Sequence, residues 1–306
     1  MKYYFVVNPL AGSGEERESL LKQIEELKKE FDIETYFTKC ERDATEFVKN
    51  VCSKANDEVC FFACGGDGTI NEVCSGAYGH KNAIVSVFPC GSGNDFVKCF
   101  ERGSFNNVRN VINGEIMPID LMKVEDRYCV NVCNFGFDTV VAKNVNDDRL
   151  KNGHGSKFSY TTGIVKALIK AMKNKAEVYV DGELLNEDGT YLLCTIGNGQ
   201  YVGGSFNCSP RALLNDGMLE VCLVKCLSRL RFFTMMGDYI NGTHLDKENY
   251  KDKVIYRRVN NIHVVAPDGF DYTVDGELNN KTEIHVDMLK GAIRLLAPNK
   301  PLYEEK

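Results

Sequence analysis

The stretch Cys64-Gly65-Gly66-Asp67-Gly68-Thr69-Ile70-Asn71-Glu72 decides the reading of the first third of this chain. The apolar run Val59–Ala63 stands directly before it, and a helical pattern, Thr69–Tyr78, begins inside it. A strand that breaks into glycines and opens a helix can build a phosphate site. Glycine lets the backbone turn and lets a phosphate approach closely. The helix N-terminus supplies unpaired N–H groups and partial positive charge. Asp67 adds a carboxylate where a phosphate-bound metal would sit.

Outward from this stretch the pattern repeats. Tyr3–Val7, Ile33–Thr38, Val59–Ala63 and Ala83–Phe88 read as strands. Glu15–Phe31, the Ala44–Val51 stripe, Thr69–Tyr78 and a short Gly93–Cys99 segment read as helices. Strictly alternating strands and helices predict an α/β domain built on a parallel sheet. Near Ile116 the character changes. Ile116–Val124, Tyr128–Asn134, Glu177–Val180, Tyr191–Gly197, Met218–Val224, Val254–Val259, Ile262–Ala266, Asp271–Val274, Glu283–Val286 and Ala292–Ala297 read as short strands parted by Asp-Gly, Asn-Gly and Pro turns. That pattern predicts a mainly antiparallel β-sandwich, interrupted by helices at about Ser156–Lys173 and Ser228–Ile240. The expected division is 1–123, 124–290, and a last strand and tail, 291–306, that can return to the first domain.

Composition narrows the functional classes. The 306 residues are 43% hydrophobic and 26% charged, ordinary for a globular protein. A net charge of −6 argues against a nucleic-acid partner. No apolar run reaches the ~18–20 residues of a membrane span, and Met1–Val7 reads as a strand rather than a signal peptide, so the expected location is cytoplasmic. The 13 cysteines contain no C-x-x-C pair; Cys60/Cys64, Cys129/Cys133 and Cys222/Cys226 lie among apolar residues and read as buried thiols.

Four polar or glycine-rich breaks follow the four strands of the first domain: Asn8–Gly14 with Gly12, Thr38, Gly65–Thr69, and Pro89–Phe96 with Gly91, Ser92, Asn94 and Asp95. In a parallel sheet all four lie at the C-terminal edge, where ligands bind. Neither a Walker P-loop nor a G-x-G-x-x-G dinucleotide fingerprint is present. Val180-Asp181-Gly182-Glu183-Leu184 recurs as Val274-Asp275-Gly276-Glu277-Leu278, each copy a hairpin signal by itself.

Asn8-Pro9 with Gly12, Gly65-Gly66-Asp67-Gly68-Thr69-Ile70-Asn71-Glu72, Pro89-x-Gly91-Ser92-Gly93-Asn94-Asp95-Phe96 and the late Asp275-Gly276-Glu277 together resemble the diacylglycerol kinase catalytic family, which also holds sphingosine and ceramide kinases. Soluble bacterial lipid kinases of that family are similar along nearly the whole chain. The resemblance implies an N-terminal domain like that of NAD kinase and phosphofructokinase, and ATP binding between it and the β-rich domain. Asn8, Gly12, Thr38, Gly65, Gly66, Asp67, Gly68, Thr69, Asn71, Glu72, Gly91, Ser92, Asn94 and Asp95 would surround the nucleotide. Ser92 stands where many members carry threonine; the hydroxyl survives. Glu277 would accept the proton of the substrate hydroxyl, with Asp67 and Asp275 beside it in the catalytic set. Residue chemistry does not separate Glu277 from Glu183; the family pattern favours Glu277. A structural Mg²⁺ is implied at Leu213, Asp216 and Met218, with the Asp216 carboxylate and two carbonyls as ligands.

The implied reaction is ATP-dependent phosphorylation of a lipid hydroxyl, most simply diacylglycerol to phosphatidic acid. A NAD or sugar-phosphate kinase of the same loop chemistry, or a non-catalytic nucleotide- or lipid-binding protein, is the alternative. The expected partner is a membrane lipid, met peripherally at the inner membrane face. In Ser156–Lys175, Val165, Leu168, Ile169 and Met172 form an apolar stripe and Lys166, Lys170 and Lys173 share another face. Such a helix can lie on an anionic membrane or simply pack on the sandwich. Leu230, Phe232, Phe233, Met235, Met236 and Ile240 make a second apolar patch, suited to a core or to an acyl groove. Strand edges leave a homodimer open.

Overall fold

A computed structural model describes residues 1–12, 14–152 and 157–303, and the side chains of these except 149–161. Ser13 and Ser156 lie outside that description, as do the side chains of 157–161 in the helix expected from Ser156. The chain divides into two units: Met1–Leu121 with Leu213–Gly217 and Leu289–Lys306, and Met122–Ala212 with Met218–Met288.

The first unit holds β1 (Lys2–Val7), α1 (Glu15–Leu27), β2 (Ile33–Phe37), α2 (Asp43–Lys54), β3 (Val59–Gly65), α3 (Asp67–Ala77), β4 (Ala83–Pro89) and α4 (Val108–Ile112), and receives β5 (Glu115–Val124) as far as Leu121. Strands β2, β1, β3 and β4 lie side by side, all parallel. Both faces are covered, which is why every residue of β3 is buried. Leu20, Ile24 and Leu27 of α1 form the buried stripe that the period-3.6 pattern predicts. The helix ends at Leu27 rather than at Phe31. Phe31 still reaches the core, edge-on to Tyr3 with ring centroids 5.9 Å apart.

The second unit holds β6 (Arg127–Cys129), β7 (Val132–Gly136), α5 (Phe137–Asn152), α6 (Lys157–Lys170), β8 (Asn174–Lys175), β9 (Glu177–Val180), β10 (Glu183–Leu184), β11 (Thr190–Tyr191), β12 (Leu193–Gly197), β13 (Tyr201–Val202), β14 (Phe206–Asn207), β15 (Leu219–Val224), α7 (Arg229–Ile240), β16 (Val254–Val259) and β17 (Asn261–Val274). The last strand, β18 (Glu277–Ala297), begins in this unit and ends in the first, where Leu295 pairs in parallel with Val85 of β4. Strands β16, β15, β12, β7 and β17 are antiparallel neighbours in that order. The early half of β17 pairs with β9 and the late half with β7. A register break between Val265 and Phe270 separates the two halves, as a bulge that bends a strand from one sheet to another does.

Three expectations need correction. Tyr128–Asn134 is two strands, because Asp275 takes the backbone N–H groups of Val130, Asn131 and Val132 out of any ladder. The four short strands expected after residue 261 are two long ones. Helix α5 carried no apolar stripe in sequence and was not expected. Of the thirteen thiols, eleven are buried, Cys226 is half-buried and Cys40 is exposed.

Helices α2 and α3 touch through Gly76, where a Cβ would meet the Thr45 carbonyl at 2.7 Å and Val48 Cβ at 2.8 Å. Gly76→Val is expected to lower stability by about 1–3 kcal/mol through overpacking, read as a lower urea midpoint; an unchanged midpoint contradicts this packing.

Candidate active site

The first unit brings the loops after β1, β3 and β4 together. The Asn8 N–H donates to the Cys64 carbonyl at 2.9 Å, and Thr38 N–H donates to Val7 at 2.9 Å, so the four strands end level. Cys90 and Gly91 N–H both donate to the Gly65 carbonyl, at 2.9 and 3.1 Å. A Cβ on Gly91 would lie 2.4 Å from Gly66 Cα, and one on Gly12, whose φ is +68°, would lie 1.9 Å from the Cys90 carbonyl. The glycines are thus needed where the loops meet. Asn8 Oδ1 accepts from Leu10 N–H at 2.9 Å, and its Nδ2 lies 3.5 Å from Thr69 Oγ1. Asn94 closes its own turn through Gly91 N–H at 2.9 Å and the Gly91 carbonyl at 2.7 Å. Ser92 is exposed at the tip.

Asp67 opens α3 and accepts the Asp95 N–H at 2.7 Å and Phe96 N–H at 3.3 Å. It therefore ties the β3 loop to the start of the short 3₁₀ turn Phe96–Cys99. Asp95, nearly buried, pairs with Lys98 at 2.5 Å, which sequence reading did not single out. Glu72 is committed differently. Its carboxylate accepts from Arg42 N–H at 3.0 Å and Ala44 N–H at 3.1 Å, and its carbonyl from Thr45 Oγ1. It holds the N-terminus of α2 in place. Asn71 accepts from Ser75 one turn on, at 3.4 Å.

The Leu213–Gly217 segment belongs to the first unit, and Met218 opens the return to the second. The segment folds around Asp120, a buried carboxylate between the apolar Ile119 and Leu121 of β5. Asp120 accepts Gly217 N–H at 2.6 Å and Gly291 N–H at 2.7 Å, while its own N–H donates to the Leu214 carbonyl at 2.7 Å. Burial raises the Asp120 pKa above the usual carboxylate range; its two backbone donors oppose this and the Asp216 charge adds to it. Two carboxylates close enough to repel, beside a turn of carbonyls, match the oxygen donors of a hard cation in type. The lone Asp in Ile119-Asp120-Leu121 was the available sequence signal.

In the second unit the repeated Val-Asp-Gly-Glu-Leu resolves into two hairpin turns of one kind. Asp181 and Asp275 both have φ +47°, followed by Gly182 at +87° and Gly276 at +86°, the pattern of a type I′ turn. Each Asp anchors its turn to a neighbouring segment: Asp181 accepts from Asn260 and Asn261 N–H, and Asp275 from Val130, Asn131 and Val132 N–H at 2.7–3.0 Å and from Cys129 Sγ at 3.2 Å. Asp275 is thereby a positioning group for Glu277. The two glutamates differ. Glu183 is exposed. Glu277 Oε2 pairs with Arg127 Nη1 at 2.8 Å, a partner 150 residues away that no local pattern reveals.

Helices α5, α6 and α7 cover an apolar pocket lined by Phe137, Val141, Ile164, Phe232, Met235 and Tyr239, with Asp138 as its acidic group; it encloses about 30 Å³, room for roughly one water. Burial pushes the Asp138 carboxyl up to about 7. Leu168 and Met172 of the predicted stripe pack inward. Val165, Ile169, Leu230 and Phe233 are exposed, 52–77%, on α6 and α7, which Arg229 joins by donating to the Leu168 carbonyl at 2.8 Å. Among the described residues no helix is long and apolar enough to cross a membrane.

Two family models cover the chain: a diacylglycerol kinase catalytic domain over residues 2–124 and a YegS C-terminal NAD kinase beta sandwich-like domain over 131–297. A diacylglycerol kinase of Bacillus subtilis (strain 168) is 27% identical over 299 residues, covering 93% of this chain and 95% of that protein. A probable lipid kinase YegS-like of Pectobacterium atrosepticum is 28% identical over 295 residues, covering 94% and 93%. The crystal structure of a diacylglycerol kinase from Bacillus anthracis str. Sterne superposes with a TM-score of 0.72 at 20% identity over 97% of this chain and 96% of that one, a likeness of fold. With both of its halves matched and its glycine loops assembled, the chain belongs to the diacylglycerol kinase and YegS-like family of lipid kinases.

Proposed function

We propose that this protein transfers the γ-phosphoryl group of ATP to the hydroxyl of a membrane lipid, with diacylglycerol as the first candidate. The observation that carries the reading is the junction of the β1, β3 and β4 loops at the N-terminus of α3. Phosphoryl transfer asks a protein for positioning and charge stabilisation more than for covalent chemistry. The backbone N–H groups of Gly66, Asp67 and Gly68 are suited to take phosphate oxygens, Thr69 N–H being already given to the Gly66 carbonyl, and Asn8 and Ser92 offer polar groups beside them. Bound Mg²⁺ would supply charge neutralisation at the phosphates. Asp67 is the carboxylate suited to meet such an ion directly or through water, while its Oδ1 keeps the β4 loop in place. Asp216 and the Leu213 carbonyl would hold a second, structural ion, with the Met218 carbonyl completing the expected set.

Glu277 is assigned the hydroxyl proton. Arg127 engages Oε2 and fixes the carboxylate's orientation, leaving Oε1 as the accepting oxygen. A positioned general base contributes about 10²–10⁴-fold, or ~3–5.5 kcal/mol at the barrier. Asp275, through its three backbone contacts, sets where that base stands.

The lipid side rests on α6 and α7. Four exposed apolar side chains, Val165, Ile169, Leu230 and Phe233, share these helices with Lys166, Lys170, Arg229 and Arg231, and Lys173 lies just beyond the end of α6. Exposed apolar groups with cations on the same helices suit the interface of an anionic bilayer.

Three measurements test the reading. Radiolabel transfer from ATP to a lipid panel is expected to label diacylglycerol or a close analogue. Glu277→Gln should lower kcat at least a hundredfold and Glu183→Gln should leave it within twofold; equal activity of both variants, or transfer to NAD and not to lipid, defeats the assignment. Reversing Lys166, Lys170 and Lys173 to Glu should weaken sedimentation with phosphatidylglycerol vesicles at least tenfold and leave the circular dichroism unchanged. Binding equal to that of the unmodified protein rules out this surface.

A further inference from the structure

We infer that the outer face of the β17–β18 hairpin carries a binding site for a zinc-class transition-metal ion, formed by His263, Glu283 and His285. The register creates it. His263 lies directly across from His285, and Glu283 lies two residues along β18, opposite Val265. Side chains alternate along a strand, so these three share one face, while Ile262, Val264, Ile284 and Val286 point into the core and are buried. The two imidazoles stack at 4.3 Å between centroids and 8° between planes. His263 Nε2 is 2.6 Å from Glu283 Oε1, His285 Nε2 is 4.0 Å from the same oxygen, and one donor atom from each residue lies within 4.8 Å of the others.

A tetrahedral ion with bonds of about 2.0–2.2 Å holds its donors roughly 3.3–3.5 Å apart. The stacked rings hold their lone pairs parallel, so at least one imidazole must turn out of the stack to face a shared ion; the side chains are 34%, 52% and 58% exposed for His263, Glu283 and His285, and that rotation is open to them. The flanking groups prepare the site. Glu125 Oε1 lies 3.2 Å from His285 Nδ1 and accepts the His285 backbone N–H at 2.6 Å, while Lys281 holds Oε2 at 3.2 Å. A carboxylate on Nδ1 fixes the tautomer that presents Nε2 to a metal. On the other side the His263 ring rests on Tyr179 at 5.7 Å, whose hydroxyl donates to Glu177 at 2.7 Å.

Two imidazole nitrogens and one carboxylate oxygen, with a fourth position left for water, favour Zn²⁺, Cu²⁺ or Ni²⁺ over Mg²⁺ or Ca²⁺. The site is therefore chemically separate from any Mg²⁺ at the phosphates or at Asp216. It is also separate in space from the proposed base: Glu277 stands eight residues earlier on β18, about 27 Å along an extended strand. An ion here would clip β17 to β18.

Isothermal titration of the reduced, full-length protein with ZnCl₂, in parallel with MgCl₂, tests the proposal. We expect one Zn²⁺ bound with micromolar Kd, its affinity unchanged when the protein is first saturated with MgCl₂, since Mg²⁺ belongs to the separate oxygen-donor site. His263→Gln and His285→Gln should each weaken binding at least tenfold while circular dichroism stays unchanged. Co²⁺ should give the visible absorption of a tetrahedral site in the unmodified protein and lose it in His285→Gln. Zinc affinity that survives both substitutions, including an ion held instead by the exposed Cys40 thiol, overturns the proposal, as does the absence of binding.

Discussion

The contact on which the first unit depends is the meeting of two backbones, Gly66 and Gly91, with no room for a side chain between them. A Cβ at Gly91 would fall 2.4 Å from Gly66 Cα, well inside the distance that real Cβ contacts allow. Once the loops are this close, the Gly65 carbonyl can take both Cys90 and Gly91 N–H, and Asp67 can reach across to Asp95 and Phe96. One carboxylate thus caps the 3₁₀ turn from outside and opens α3 from within. Under the proposed function, phosphate recognition would follow from this packing, because the loops beside the start of α3 meet without side chains between them.

The second unit solves a related problem with the opposite device. Its two Asp-Gly turns are type I′, and each Asp uses its carboxylate to collect backbone N–H groups from a neighbouring segment. A buried N–H without an acceptor costs about 1–3 kcal/mol, so three at Val130–Val132 fix the Asp275 turn firmly. That fixity passes to Glu277, two residues on, and Arg127 narrows its orientation further. The repeat in sequence is accordingly a repeat of turn construction. The proposed function distinguishes the copies through Glu277, whose carboxylate pairs with Arg127 while Glu183 is exposed.

The sequence made the first unit legible because each of its strands ends at a glycine or polar break and each main helix shows a stripe of period 3.6. It was less legible beyond Ile116. Pro267-Asp268-Gly269 reads as a turn, yet it marks a register break inside one strand. Lys290-Gly291 reads as a break, yet Gly291 donates to Asp120 in mid-strand and β18 runs on. Helix α5 has polar residues on every side of its described part, so periodicity carried no signal. Arg127 with Glu277, and Asp120 with Gly217 and Gly291, are pairs 97 to 171 residues apart by number. Only the fold brings such groups together. Glu72 illustrates the converse: its motif position suggested the nucleotide, and the hydrogen bonds give it to α2.

The central claim is that the side-chain-free junction of the β3 and β4 loops is what holds the nucleotide. Its most direct test is the affinity of Gly91→Ala for a non-hydrolysable ATP analogue with Mg²⁺, measured by titration calorimetry. A single methyl group there must push the loops apart, so Kd should rise at least tenfold while the helical circular dichroism is unchanged. An affinity equal to that of the unmodified protein would contradict the account.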